Sequence, residues 1–126
     1  MSENKEYVSR SEELGNIHIS EEVLAAITAA ATLEVEGVNG LSANLGSDLA
    51  ELLGKKSLTK GIHIQMDEDK VKVELSILMN YGSTIPEVGK AVQDNVKNAV
   101  ESMTGLEVAE VNVAVTGISF EKTEQQ

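Results

Sequence analysis

The sequence predicts an α/β chain of the α+β kind, a two-layer sandwich in which a small mixed sheet carries two main helices on one face. Two observations lead there. Stretches with apolar residues at every second position stand beside stretches with apolar residues every three or four. Their order is strand, helix, short strand, short helix, hairpin, helix, strand. Each long helical stretch also opens on Ser or Thr followed by acid, and closes on a glycine that leads into another strand. Two one-sided helices on one sheet leave the sheet's other face open.

Residues 1–14 show no periodicity and few apolar side chains, so they read as a flexible tail. A single domain is expected over residues 15–120, with 121–126 as a second tail. Gly15-Asn16-Ile17-His18-Ile19 reads as a short strand with Ile17 and Ile19 inward and His18 outward. Ser20 then caps a helix whose first turn carries Glu21 and Glu22, the favoured sign at the positive end of a helix dipole. Leu24, Ile27, Ala31 and Val35 form its buried stripe, and Gly37 supplies a left-handed stop. Residues 38–45 hold a short strand interrupted at Gly40. Residues 47–53 form a short helical segment on Leu49, Leu52 and Leu53, and 55–60 make a polar connection.

Ile62, Ile64 and Met66 alternate with His63, Gln65 and Asp67 in a firm strand, and Asp67-Glu68-Asp69 turns it into a hairpin. The second arm is the strongest element. Val71, Val73, Leu75, Ile77 and Met79 point one way while Lys72, Glu74, Ser76 and Asn80 point the other, so one face meets a core and one meets water. Tyr81-Gly82-Ser83 breaks the pattern. Thr84, Pro86 and Glu87 then open a helix by a capping box with proline in the first turn. Val88, Val92, Val96 and Val100 give this helix its stripe, with Ala91, Ala99 and Met103 beside them, and Gly105 ends it. The last strand carries Val111, Val113 and Val115 on one face. Ile118 and Phe120 fall on the other parity, which places a bulge near Gly117.

Composition narrows the function. A chain of 126 residues is one domain, able to bury about two thirds of its unfolded surface. Aromatics are 2% (Tyr7, Tyr81 and Phe120), so the core is aliphatic and platforms for stacking single-stranded nucleic acid are missing. A net charge of −11 opposes generic binding to nucleic acid or to anionic membranes. Half of the basic residues (Lys55, Lys56, Lys60, Lys70 and Lys72) cluster together, and they read as a solvated loop and strand edge. Absence of cysteine excludes disulfides, thiol nucleophiles and cysteine zinc sites. No apolar run approaches the length of about 20 residues that spans a bilayer. The first residues lack a signal-peptide core, and a cytoplasmic protein is expected.

Residues with chemical potential resolve into ordinary structure. His18 and His63 each stand in an Ile-His-Ile context and would meet only if their strands were neighbours, with no third ligand in view. Asp67-Glu68-Asp69 lacks the glycine and distal glutamate of a calcium loop. Gly54-Lys55-Lys56-Ser57 lacks the spacing of a phosphate-binding loop, because Lys56 and Leu49 stand where hydroxyl and glycine are needed. No carboxylates form a readable acid–base pair. The chain reads as no enzyme, with no catalytic residue, cofactor or metal.

Several blocks carry a resemblance. They are Gly15 to Val23, then Glu34-Val35-Glu36-Gly37-Val38-Asn39-Gly40, then Lys60-Gly61-Ile62. Tyr81-Gly82 followed by Ile85-Pro86-Glu87-Val88 and Val92-Gln93 is the most specific. Thr104-Gly105-Leu106-Glu107-Val108, Val111-Asn112-Val113 and Gly117-Ile118 complete the series. In this order they resemble the alkaline shock protein family of Gram-positive bacteria, over about residues 15–120. The resemblance implies a non-enzymatic cytoplasmic protein of cell-envelope homeostasis and stress, peripheral at the membrane only through a partner. That partner is a small membrane anchor protein or, in a subgroup linked to lipid synthesis, acetyl-CoA carboxylase subunits. The Ile-Pro-Glu-Val and Leu-Glu-Val-Ala-Glu blocks and short tails look more like the second subgroup.

The motif residues Tyr81, Gly82, Ile85, Pro86, Glu87, Val88 and Gly105 read as structural. The expected partner face is the open side of the sheet, with His18, His63, Lys72, Glu74, Asn112, Ala114 and Thr116, joined by Gln65 and Leu78. A free sheet edge offers homo-oligomerisation instead. The rival readings are an RNA-binding α/β domain, opposed by acidity and the missing GxxG clamp, and a small-molecule sensor of acyl-CoA type.

Overall fold

A computed structural model describes residues 7–12 as backbone, and residues 14–42, 61–68 and 70–120 with their side chains. The short helix expected over 47–53, the connection 55–60 and the tail 121–126 lie outside the described residues.

The centre is β5 (Lys70–Asn80), the strand with the clearest alternation. β6 (Glu107–Ser119) runs parallel to it along one edge from end to end. β4 (Ile62–Asp67) and β3 (Val38–Leu41) are antiparallel to β5 and share its other edge. Ser76 marks their junction: its N–H donates to the Gly61 carbonyl at 3.0 Å, and its carbonyl accepts from the Ser42 N–H at 2.9 Å. The sheet is therefore mixed and three ranks wide, and its one parallel pair requires a crossover connection.

That crossover is α2 (Ile85–Thr104), which packs over β6 and beside α1 (Glu21–Leu33). α1 covers β3 and β4 on the same face. Between helices and sheet lies one aliphatic core: the five inward side chains of β5, the four α2 valines, Leu24, Ala31, Ile64, Leu106, Val108 and Val111. The α2 stripe is narrower than its sequence suggests, because Ala91 and Met103 are exposed and Ala99 is half-buried.

Local signals mostly act as read. The Val23 N–H donates to the Ser20 hydroxyl at 3.1 Å, capping α1. Gly105 takes the left-handed conformation at φ 78° and closes α2, its N–H donating to the Glu101 carbonyl at 2.9 Å. Two signals act differently. Thr84 has N-cap geometry but its hydroxyl makes no capping bond, so the expected capping box is absent and the helix start rests on Pro86 and its own ladder. α1 stops at Leu33 with Glu34 still right-handed; Gly37, at φ 99°, serves the turn into β3.

The expected N-terminal tail also needs correction. β1 (Tyr7–Glu12) pairs antiparallel with β2 (Gly15–Ser20), and the two form a sheet of their own. Ile17 is consequently left beyond the cover of the core and is 52% exposed, whereas Ile19, on the same side of the strand, packs against it. β6 carries the bulge expected near Gly117, where Thr116 is skipped in the register, and a second at Ala109.

Packing generates two expected outcomes. The Thr28 hydroxyl is fully buried and has no hydrogen-bond partner among the described residues. Thr28→Val keeps the shape and removes the orphan, so urea unfolding should show a gain of about 1 kcal/mol. Gly61 sits at φ 77°, where an added Cβ would lie 1.9 Å from the Ser42 carbonyl oxygen. Gly61→Ala should lose at least about 2 kcal/mol, whereas Gly40→Ala, with open space at its Cβ, should lose far less.

Candidate functional site

Register places the outward side chains of the main sheet in rows. Across β4, β5 and β6 these rows are Asp67, Lys70, Glu107; then Gln65, Lys72, Glu110; then His63, Glu74, Asn112. Ser76 and Ala114 form the next row, then Gly40, Leu78 and Gly117, then Asn80 and Ser119. Neighbours within a row stand about 4.8 Å apart, so each row is a contact set. Each lysine of the first two rows lies beside acid on β6, a favourable cross-strand pairing. The remaining rows are mostly small or uncharged. Leu78 lies flat because Gly117 has no side chain; a Cβ there would meet Leu78 Cδ2 at 2.6 Å. Asn112 Nδ2 donates to Glu110 Oε1 at 3.1 Å and Asn39 Nδ2 to Asn80 Oδ1 at 3.1 Å, stiffening opposite ends of the face.

Of the expected partner-face residues, His63, Lys72, Glu74, Asn112 and Ala114 share this surface with Gln65 and Leu78. His18 does not: it lies on β2, in the separate sheet, opposite Ser9. The two histidine strands are not paired to each other. Thr116 occupies the bulge, and its hydroxyl donates to the Ile77 carbonyl at 3.4 Å, at the β5–β6 seam. Asp67, Glu107, Glu110, Ser76 and Asn80 belong to the face as well. Parity alone marks the side of Asp67, Ser76, Asn80 and Glu110, but Glu107 has the parity of the inward valines and reaches this face only through the bulge at Ala109.

The motif residues surround the turn after β5. The Tyr81 N–H donates to the Ser119 carbonyl at 2.8 Å and the Ser83 N–H to the Asn80 carbonyl at 3.2 Å. Val88 is buried, while Ile85, Pro86 and Glu87 are exposed on the first turn of α2. Tyr81, 71% exposed, stacks on Phe120, 69% exposed, with ring centres 4.9 Å apart. Sequence reasoning does not find that pairing, because the two rings meet only through the parallel β5–β6 alignment.

Chemical groups do not converge anywhere in the described residues. No set of three or more His, Asp or Glu side chains is placed to hold a metal ion among them. A shallow groove of about 480 Å³ between α1 and α2 is lined by four alanines, Ile27 and Met103, with Glu34, Asn95, Asn98 and Ser102 among them. A second, of about 460 Å³, runs between α2 and β6 past Lys90, Gln93, Asp94 and Lys97. No described helix is long and apolar enough to cross a membrane.

Among the described residues one carboxylate is shifted from its ordinary range. Glu101 accepts from Lys97 Nζ at 2.8 Å and from the Val108 N–H at 2.9 Å, and these bonds hold its pKa below the ordinary value of 4.5. A carboxylate with a lowered folded-state pKa stabilises the fold above its unfolded value, and that contribution disappears as pH falls below about 4.5. Glu101→Gln should therefore flatten the loss of stability below that pH, measured by urea unfolding at a series of pH values.

Comparison with known proteins agrees with this architecture. The chain is 39% identical over 114 residues to the protein Spy1535 of Streptococcus pyogenes serotype M6, covering 90% of this chain and 86% of that one. It is 30% identical over 113 residues to YqhY of Bacillus subtilis, covering 90% and 84%. A Streptococcus pyogenes homolog of the stress response regulator gls24 is 28% identical over 113 residues, covering 89% of this chain and 62% of that one. Among solved structures, the zinc form of the MamM CTD variant D249N superposes with a TM-score of 0.51 at 12% identity, over 82% of this chain and 92% of that one. That likeness concerns the fold alone. Residues 9–120 match the family of alkaline shock protein 23, described as having a cell envelope-related function, and the chain belongs to that family.

Proposed function

We propose that this protein is a non-enzymatic interaction module of the cell-envelope stress system, and that it docks a protein partner through the open face of its main sheet. The observation that carries the reading is the sheet itself. Both described helices pack on one side, and Gln65, Glu74, Asn112 and Ala114 stand on the other. β5 has 11 residues, a length of about 36 Å, and three ranks are about 14 Å wide, so side-chain relief brings the face toward the roughly 800 Å² per partner of a stable complex. Small residues at its centre let a partner approach closely. Charged residues at its β4–β6 end fix orientation more than affinity.

The family description and the stress-regulator name of a relative support the cellular setting. A small membrane anchor protein or acetyl-CoA carboxylase subunits are the partners this reading favours. Either keeps the chain cytoplasmic, and the first holds it at the membrane indirectly. The carboxylates of the face outnumber its lysines, which supports a protein surface over RNA.

The test is a crosslinked pull-down of the tagged chain from its native host, wild type against Ala114→Arg. Ala114 is exposed, so the variant should melt within a few degrees of wild type. A large, charged side chain at the middle of the face should lower recovery of the bound anchor or carboxylase subunit about tenfold or more. Equal recovery from both chains would count against this face.

A further inference from the structure

The outer edge of β6 has the features of a second recognition site. The Tyr81 N–H donates to the Ser119 carbonyl, and in a parallel ladder alternate residues of a strand face the same neighbour. Glu110, Asn112, Ala114, Gly117 and Ser119 therefore turn their backbone groups toward β5. Val111, Val113 and Val115 turn theirs away, where no described strand pairs with them. α2 engages this edge only at its beginning: Gln93 Nε2 donates to the Val111 carbonyl at 2.9 Å, and Glu101 accepts from the Val108 N–H at 2.9 Å. The two bulges, at Ala109 and Thr116, bracket a regular window from Glu110 to Val115. Natural edges are usually blunted by bulges, charge or cover; between its two bulges this window carries only the charge of Glu110 and the Gln93 contact at Val111.

The two sides of the window differ in chemistry. Toward the helices, Val113 and Val115 are only half-buried, and beyond them Ile118, 40% exposed, leads to the stacked rings of Phe120 and Tyr81. Two of the three aromatic residues in the whole chain are thus spent on the surface. Exposed aromatic pairs of this kind are typical anchors of protein interfaces. Toward the open face, Glu110 stands on the window and Glu107 before it.

We propose that this edge takes an extended peptide segment of a partner protein as an added strand, with basic side chains toward Glu110 and apolar ones toward the valines and the aromatic pair. Unpaired backbone groups call for an extended chain, and alternate side-chain environments set its sequence character. The charge of −11 favours a basic segment over a second copy, which would bring another −11 to the same edge. This edge borders the open face and shares its β6 side chains, but the backbone pairing proposed along it stands or falls independently of what that face docks.

The test uses the full chain, labelled with ¹⁵N, and a blocked peptide of alternating lysine and valine, about six residues long. The control is the same peptide with alternate backbone nitrogens methylated, which keeps charge and side chains but removes the ladder. The parent peptide should shift the amide signals of Val111, Val113, Val115 and Gln93 and slow hydrogen exchange at Val113 and Val115. The methylated peptide should do neither, and Phe120→Ala should weaken binding about fivefold. Absence of shifts at millimolar peptide overturns the proposal, as do equal shifts with the methylated control. Concentration-dependent protection of Val113 and Val115 in the free chain also overturns it, because a second copy would then hold the edge.

Discussion

Everything in this fold hangs on β5 being paired along both edges and packed on one face only. Its five inward side chains are the floor on which both helices rest. Because β6 runs parallel, the chain must cross the sheet between them, and α2 is that crossing. α1, which brings the chain from β2 to β3, lies on the same side. That no described helix covers the other face is therefore a consequence of connectivity. No special sequence feature is needed to leave it open; what the sequence adds is the choice of side chains displayed there.

How much of this was legible in the sequence depended on whether an element carries its own period. β5 and α2 did: five apolar residues at every second position, and four valines at every fourth, admit one reading each. β1 did not. Tyr-Val-Ser-Arg-Ser-Glu has no apolar alternation, and only its partnership with β2 makes it a strand. The exposure of Ile17 has the same origin, since parity tells which residues share a side but not whether anything covers that side. Cap residues behaved similarly. Ser20 and Thr84 look equivalent on paper, yet only the first hydroxyl reaches a helix N–H, a matter of rotamer that no spacing records.

The candidate surface was legible in half. Outward parity named His63, Lys72, Glu74, Asn112 and Ala114 correctly as one side of one sheet. It placed His18 with them only by assuming one sheet for all strands, and β2 belongs to another. Row order was hidden as well. Glu110 lies level with Lys72 only because the bulge at Ala109 advances the register by one, and nothing in Glu-Val-Ala-Glu-Val announces that shift.

The stretch from Tyr81 to Val88 controls the end of β6 as well as the start of α2. Its backbone holds Ser119 through the Tyr81 N–H, and its ring holds Phe120 by stacking. Val88, in the first turn of α2, buries itself in the core and fixes where that helix begins. A turn needed only to reverse the chain would be served by glycine and a polar residue. Placing an aromatic there, in a protein with three, sets a large apolar surface at the place where sheet edge and helix start converge. Removing the Tyr81 ring would cost little burial in the isolated chain, because most of the ring is already in water. What that ring does in the described structure is stack on Phe120 and hold the end of β6 beside the start of α2.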